Sequence, residues 1–187
     1  MEDRKIRIAA FTGSLRRNSY NRAALRAAAE LLPENAVMDI IDLAGIPFFS
    51  EDLEAEGIPP AVAEFKRRLG EADAVLIATP EYNFSIPPVL KNAFDWASRG
   101  ENLPLSGKPA AIMSASTGML GGARVQYHLR QVLVALNLRT LNKPEVFITN
   151  ADTKFDKDGR LLDERTRNSI SRLVTALVQS VESKGRE

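Results

Sequence analysis

Short apolar runs alternate along this chain with segments of helical periodicity, and no other feature limits the possible folds as strongly. The continuous apolar runs at 73–79 and 109–115 predict strands that are buried on both faces. Runs at 6–11, 37–41 and 146–149 predict three further strands, and a helical pattern follows each of the five. This alternation is typical of a parallel sheet with helices on both faces. We therefore predict an α/β fold in which residues 1–187 form one domain.

Capping residues predict where several helices begin. Ser19 or Asn18 can cap the first helix, Ser85 can cap a middle helix, and Asp163 can cap the last one. Residues 42–60 are predicted to be irregular. A segment of this length without regular structure is expected to have a function or to lie at an interface.

The residue inventory excludes several kinds of active site. The chain has no cysteine, which excludes disulfides, thiolate zinc sites, iron–sulfur clusters and cysteine nucleophiles. Its single histidine, His128, cannot form a multi-histidine metal site and is interpreted as a structural or interfacial residue. Any catalysis must therefore come from hydroxyl groups, carboxylates, cations or a bound cofactor.

Charge and hydropathy give no sign of a nucleic-acid or membrane partner. The 25 basic and 24 acidic residues leave a formal net charge of +1, without the basic excess that binds nucleic acid. No run approaches the roughly 20 apolar residues of a membrane-spanning helix. The N-terminus lacks the apolar core of a signal peptide. We expect a cytoplasmic protein without a membrane span.

Three polar, glycine-bearing segments follow predicted strands, at 13–21, 80–85 and 114–122. Ligands of parallel α/β sheets bind beyond the carboxyl ends of the strands, so these segments are expected to form one site. The first precedes a helix and carries hydroxyl groups and Arg16, which suits a terminal monophosphate. The alternative interpretation is a capped helix start with solvated arginines.

The other two segments are less specific. Tyr82, Asn83 and Phe84 combine flat apolar surface with an amide, which suits the edge of a ring system. The alternative is a polar turn between a strand and a helix. Glycines in the third segment would let the backbone approach a ligand closely, although a merely flexible loop would have the same composition.

Three sequence blocks resemble the NADPH-dependent FMN reductase family. GSLRRNSYN at 13–21 resembles the family's phosphate loop, and PEYNFSIPPVLKNAFDW at 80–96 resembles its second signature. STGMLGGARVQYHLRQVL at 116–133 is similar to the branch of bacterial quinone and chromate reductases. The spacing of the blocks also matches, so the resemblance covers essentially the whole chain.

The resemblance implies a flavodoxin-like three-layer α/β/α sandwich that binds FMN non-covalently. Its five-stranded parallel sheet would have the strand order 2-1-3-4-5. Ser14, Arg16, Ser19 and Asn21 would hold the phosphate, residues 80–83 would line the isoalloxazine ring, and Ser116 and Gly118 would lie on its far side. The full set of expected FMN contacts is Gly13, Ser14, Leu15, Arg16, Ser19, Tyr20, Asn21, Pro80, Glu81, Tyr82, Asn83, Phe84, Ser116 and Gly118.

The resemblance further implies an NAD(P)H-dependent FMN or quinone reductase with a ping-pong cycle. NADPH or NADH would donate a hydride to the flavin and leave, and a quinone would then take two electrons. Chromate, azo or nitro compounds and free flavin are other possible acceptors. The flavin carries the redox chemistry, so no protein nucleophile or metal is required.

Two alternative functions and an oligomeric state complete these expectations. A flavodoxin-like electron carrier would share the fold, but such carriers are typically acidic and this chain is nearly neutral. A flavin-binding regulatory subunit with little turnover would also fit. The resemblance implies a homodimer or homotetramer, with Arg124, Tyr127 and Glu145 linking dimers into tetramers. The alternative is that these three are ordinary surface residues.

Overall fold

A parallel β-sheet runs through the computed structural model, which describes residues 4–184. Numbered along the chain, the first five strands have the order 2-1-3-4-5, and a sixth strand pairs with the fourth. This confirms the predicted α/β architecture and strand order. The strands are β1 (Ile6–Thr12), β2 (Ala36–Ile41), β3 (Ala74–Thr79), β4 (Pro109–Ala115), β5 (Arg139–Thr140) and β6 (Val146–Ile148).

Helices cover both faces of the sheet, as expected for strands with two apolar faces. Every residue of β3 and β4 is buried. In β1, Ile8 and Ala10 pack with the helices at 20–30 and 164–184, whereas Ala9 and Phe11 pack with those at 60–71, 88–97 and 123–135. The helices are α1 (Tyr20–Glu30), α2 (Glu51–Glu56), α3 (Pro60–Glu71), α4 (Pro88–Ala97), α5 (Ala123–Ala135) and α6 (Glu164–Lys184).

The outer edge of the sheet differs from the prediction, because two short strands share the fifth position. Pro109 and Ala110 at the start of β4 pair with β5, and residues 113–115 pair with β6. The two residues of β5, Arg139 and Thr140, are too few and too polar to produce a periodic pattern. The predicted strand at 146–149 corresponds to β6, which ends one residue earlier.

The sequence predicted that residues 42–60 are irregular. This prediction was wrong in part, because the segment contains the six-residue helix α2. No residue of α2 is buried, so this helix has no apolar stripe by which it could be recognised. The preceding chain is anchored to α4 instead. The Pro47 carbonyl accepts hydrogen bonds from Trp96 Nε1 at 2.8 Å and from Asn92 Nδ2 at 2.9 Å, and Phe49 N donates to Asn92 Oδ1 at 2.8 Å.

Two of the three predicted caps are confirmed. Ser19 Oγ accepts a hydrogen bond from Arg22 N at 3.3 Å, and Asp163 Oδ1 accepts one from Thr166 N at 2.9 Å. Ser85 does not cap α4, because Pro87 occupies the N-cap position. The Ser85 hydroxyl instead lies 2.9 Å from His128 Nδ1. The prediction was wrong because two prolines can start a helix without a side-chain cap.

Across residues 4–184, no helix has the length and apolar character needed to cross a membrane. The same part of the chain contains no group of three or more His, Asp or Glu side chains arranged to bind a metal ion.

An ion pair between β2 and α3 should make stability depend on pH. Arg68 donates hydrogen bonds to Asp39 and holds the pKa of that carboxyl below its ordinary value. A lowered pKa stabilises the folded state above the ordinary value, and this contribution is lost as the pH falls through the folded-state pKa. We expect Asp39→Asn to reduce the free energy of unfolding by about 0.5–1 kcal/mol at pH 7, because the pair is partly exposed.

Denaturant unfolding at pH 7 and at pH 3 checks this prediction. The difference in the free energy of unfolding between wild type and Asp39→Asn should shrink as the pH falls below about 4, because the carboxyl is then protonated first in the unfolded state and, at lower pH, in the folded state. Asp42→Asn is a matched control, since Asp42 lies at 3.5 Å from its arginine partner and is more exposed. An equal difference at both pH values would contradict the prediction.

Candidate functional site

The carboxyl ends of β1, β3 and β4 lie side by side, and the three predicted loops meet there. The strands are paired in register near these ends, with Phe11 opposite Ile77 and Ile77 opposite Ile112. A cavity of about 150 Å³ has walls from all three loops. Its lining residues are Ser14, Arg16, Ser19, Tyr20, Asn21, Pro80, Glu81, Tyr82, Ala115, Ser116 and Thr117.

Nine of the fourteen predicted contacts therefore line one cavity, and five do not. Gly13 is buried at the end of β1, where its N–H donates to Ala78 O at 3.3 Å. Leu15, Asn83, Phe84 and Gly118 are exposed beside the cavity. Ala115 and Thr117 line the cavity but were not predicted. Ala115 has no polar side chain, and Thr117 offers only a hydroxyl group like that of Ser116, but both lie in the predicted segment 114–122 and flank Ser116.

The first loop presents unpaired hydrogen-bond donors. Within residues 4–184, the backbone N–H groups from Leu15 to Asn21 donate to no other group, and Arg16 has no ion-pair or hydrogen-bond partner. The buried Ser19 hydroxyl already accepts a hydrogen bond from Arg22 N, which leaves its proton free to donate outward. Donors of this kind at a helix N-terminus, beside a guanidinium, suit an anion such as a phosphate.

Asn21 has a different role in this structure from the other residues of the loop. Its Nδ2 donates to Ala115 O at 3.0 Å, and its Oδ1 accepts from Ala115 N at 2.9 Å. The side chain is buried, and both of its polar atoms are hydrogen-bonded to the last residue of β4. Asn21 therefore fastens the first loop to the third. That it binds phosphate, as the resemblance implies, stays a prediction, because its side-chain amide is already paired and only its backbone N–H group is free to donate.

The second loop is a tight hairpin in an unusual conformation. Tyr82 N donates to Ser85 O at 3.1 Å and Ser85 N donates to Tyr82 O at 2.9 Å. The two central residues, Asn83 and Phe84, have φ values of 49° and 64°. A two-residue turn with both φ values positive usually contains glycine or asparagine, so an aromatic residue at the second position is strained. Strain of this kind is concentrated at functional sites.

Two contacts from α5 hold this hairpin. Glu81 forms a salt bridge with Arg124 and accepts a hydrogen bond from Val125 N at 3.2 Å. The Arg124 guanidinium also lies 3.7 Å from the centroid of the Phe84 ring, a cation–π contact. The Glu81 side chain is only 8% exposed, so its charge is compensated by Arg124 and the helix N-terminus rather than by water.

Arg124 is thus engaged within its own chain, and the same is true of Tyr127 and Glu145. Tyr127 Oη donates to Glu145 Oε1 at 3.3 Å, and Lys143 pairs with the same carboxylate. Lys143 lowers the pKa of Glu145, which keeps it ionised. The Tyr127 side chain remains largely exposed. Arg124 is thus paired with Glu81, and Tyr127 with Glu145.

The third loop depends on a glycine that approaches β4 closely. Gly122 has a φ of +81°, and a Cβ atom there would lie 2.8 Å from the Ser114 Cβ. Ser114 in turn donates to Gly121 O at 2.6 Å and accepts from Gln126 Nε2 at 2.8 Å. The backbone at 121–122 can therefore close over Ser114 only if residue 122 lacks a side chain.

We expect Gly122→Ala to lower the free energy of unfolding by about 1–3 kcal/mol, through a steric clash and a disfavoured φ. Gly118→Ala is the matched control, because a Cβ there would meet only the Ser116 hydroxyl, at 3.5 Å, and the φ is not positive. Thermal unfolding of both variants without flavin checks the prediction. Equal stability of the two would contradict it.

The chain is similar to known proteins over most of its length. The sequence model of the NADPH-dependent FMN reductase family matches residues 6–153. The chain is 52% identical to an NAD(P)H-dependent FMN reductase of Pseudomonas aeruginosa, over 92% of this chain and 93% of that protein. It is 38% identical to a quinone reductase of Escherichia coli K12, over 95% and 96% of the two chains.

A solved structure has the same fold over nearly its whole length. This structure is FerB, a flavoenzyme NAD(P)H:(acceptor) oxidoreductase from Paracoccus denitrificans, with a TM-score of 0.87 and 32% identity. The alignment covers 95% of this chain and 98% of FerB. An archaeal flavodoxin, at 10% identity and a TM-score of 0.62, shares the fold alone. The predicted family is confirmed, and the chain belongs to the NADPH-dependent FMN reductase family.

Proposed function

We propose that this family member is an FMN-dependent NAD(P)H oxidoreductase that reduces quinones through a ping-pong cycle. One observation carries the proposal: a single cavity joins the three loops at the carboxyl edge of the sheet, and its first loop offers unpaired donors. FMN bound there would accept a hydride from NADPH or NADH and pass two electrons to the quinone. The protein's own residues would bind the flavin, orient it and enclose it.

Each loop contributes a different interaction. The hydroxyl groups of Ser14 and Ser19, the Arg16 guanidinium and the free backbone N–H groups would hold the phosphate. Pro80 and Tyr82 would lie along the isoalloxazine ring, with Ser116 and Thr117 on the opposite wall of the cavity. The ring requires donors and acceptors at its edge, and the polar backbone of the hairpin at 82–85 supplies both.

The exposed aromatic side chains offer a surface for a flat acceptor. Phe84 is 67% exposed and Tyr82 is 42% exposed. The Phe84 ring is held in place by its strained backbone and by Arg124. A quinone can stack on such a ring, and NAD(P)H and the quinone would use the same opening in turn. Chromate, azo or nitro compounds and free flavin are further acceptors to be tested beside quinones.

We propose in addition that the chain assembles as a homodimer or homotetramer in the cytoplasm. Arg124, Tyr127 and Glu145 lie on one surface, where Tyr127 and Val134 of α5 leave apolar area exposed. The local pairs of Arg124 with Glu81 and of Tyr127 with Glu145 would place these side chains for contacts between dimers. Sedimentation velocity of wild type and Tyr127→Ala tests this arrangement.

Absorbance and stopped-flow measurements test the main proposal. The purified protein should show the yellow colour of bound flavin or take up added FMN, and NADPH or NADH alone should bleach it rapidly. Benzoquinone should then restore the oxidised spectrum. A protein that takes up no FMN would contradict the proposal. A bound flavin that stays oxidised without a partner reductase would indicate an electron carrier, and slow turnover with benzoquinone would indicate a regulatory subunit.

A further inference from the structure

A second, larger cavity adjoins the proposed phosphate site. Its volume is about 400 Å³, and it lies between the start of α1 and the turn at 156–159. Arg16, Ser19 and Tyr20 line both this cavity and the three-loop cavity, so the two are neighbours at the phosphate end of the proposed FMN site. We call the larger one the α1 cavity.

Four cations line the α1 cavity, and none has a partner within residues 4–184. They are Arg16, Arg17, Arg26 and Lys157. Most other arginines in that part of the chain form an ion pair or donate to a carbonyl, as Arg22 does with Asp42 and Arg130 with Leu141. Four unpaired cations around one concavity repel one another, and an anion between them would relieve that repulsion.

The cavity wall also contains two carboxylates, Asp156 and Asp158. They do not neutralise the four cations, because both are paired with groups of their own turn. Asp156 accepts hydrogen bonds from the N–H groups of Asp158 and Arg160 and from Arg160 Nε, at 2.8–2.9 Å. These bonds hold the pKa of Asp156 below its ordinary value. Asp158 pairs with Arg160 at 3.6 Å. The α1 cavity is therefore positively charged despite two acidic lining residues.

Close packing of the turn against Arg26 keeps that guanidinium beside the cavity. A Cβ atom on Gly159 would overlap Arg26 Nη2 and would lie 3.5 Å from Ala23 Cβ. Any other residue at 159 would displace the Arg26 guanidinium. Tyr20, whose ring packs against Phe155 at 5.8 Å between centroids, adds aromatic surface to the same wall.

We propose that the α1 cavity binds the adenosine phosphate part of a dinucleotide. The unpaired cations suit phosphate groups, and the Tyr20 ring suits a base. Two ligands of a flavin reductase carry this group: FAD, whose adenylate continues from the flavin phosphate, and NADPH, through its adenosine 2′-phosphate. This inference rests on the proposed function, because the flavin phosphate is taken to occupy the adjoining site.

A double variant, Arg17→Gln with Arg26→Gln, removes two of the cations and leaves the proposed FMN contacts intact. Arg172→Gln is the matched control, since Arg172 is an exposed arginine on α6, away from the cavity. In one arm, apoprotein is titrated with FMN and with FAD by flavin fluorescence. In the other, FMN-loaded protein is titrated calorimetrically with 2′,5′-ADP, the corresponding part of NADPH.

The double variant should weaken binding of FAD or of 2′,5′-ADP by about tenfold or more, the size expected for lost charged hydrogen bonds. The affinity of the double variant for FMN should stay at the wild-type value. Arg172→Gln should bind FMN, FAD and 2′,5′-ADP with wild-type affinity. An effect on FAD alone assigns the cavity to the flavin cofactor, and an effect on 2′,5′-ADP alone assigns it to NADPH. Wild-type affinity of the double variant for both ligands would overturn the inference.

Failure of the proposed function would give a different result. A wild-type protein that takes up neither FMN nor FAD contradicts the proposed function itself. In that case, titration of the purified protein with 2′,5′-ADP still decides whether the α1 cavity binds an adenosine phosphate. A loss of affinity in the double variant supports the inference, and equal or absent binding overturns it.

Discussion

Replacing Arg16 by alanine should weaken FMN binding by about ten- to a hundredfold, the loss expected when a charged hydrogen bond to a phosphate is removed. Arg16 lines the cavity formed by the three loops and has no partner within residues 4–184. Its removal therefore breaks no contact on which the folded chain depends. The thermal stability of the apoprotein should remain at the wild-type value.

Fluorescence titration of apoprotein with FMN and with riboflavin measures this effect. Riboflavin lacks the phosphate, so Arg16→Ala should bind riboflavin as tightly as wild type does. The preference of the variant for FMN over riboflavin should therefore fall. The charge-matched control is Arg172→Ala on α6, which lies outside both cavities. Unchanged FMN affinity in Arg16→Ala would remove this residue from the phosphate site. An equal loss for riboflavin would show that the variant disturbs the loop and not a phosphate contact.

Asn21→Ala should destabilise the protein even when no flavin is present. The substitution leaves the N–H and the carbonyl oxygen of Ala115 without partners at the buried end of β4. Each unpaired buried group costs about 1–3 kcal/mol, so we expect a loss of about 2–4 kcal/mol in the free energy of unfolding. For a domain of this size the melting temperature should fall by about 5–15 °C.

Thermal unfolding of the apoprotein distinguishes the two roles of Asn21. A residue that only binds phosphate would leave apoprotein stability unchanged, whereas a residue that joins the first and third loops would not. Asn18→Ala is the matched control, because Asn18 lies in the same loop, is exposed and makes no hydrogen bond within the described residues. An apoprotein of Asn21→Ala as stable as wild type would support the phosphate role.

The sheet and most helices could be predicted because their signals are local and repeated. The buried strand β3 is a continuous apolar run, and α6 has an apolar stripe that includes Leu173 and Leu177. Burial imposes such patterns on the sequence directly. The two residues of β5 and the exposed helix α2 leave no pattern, since a short polar strand is determined by its neighbour and α2 buries nothing.

The sequence by itself determined the α/β class, the three loops and the family, because strand periodicity, loop composition and motif spacing are all properties of the linear chain. Only the tertiary structure decided which polar groups are already used. It assigned Asn21 to Ala115 and Glu81 to Arg124, and left Arg16 unpaired. It also brought the turn at 156–159 against α1, more than 120 residues away in the chain, and so formed the α1 cavity. A hydrogen bond or a cavity depends on atoms from distant segments, and composition does not record which segments meet.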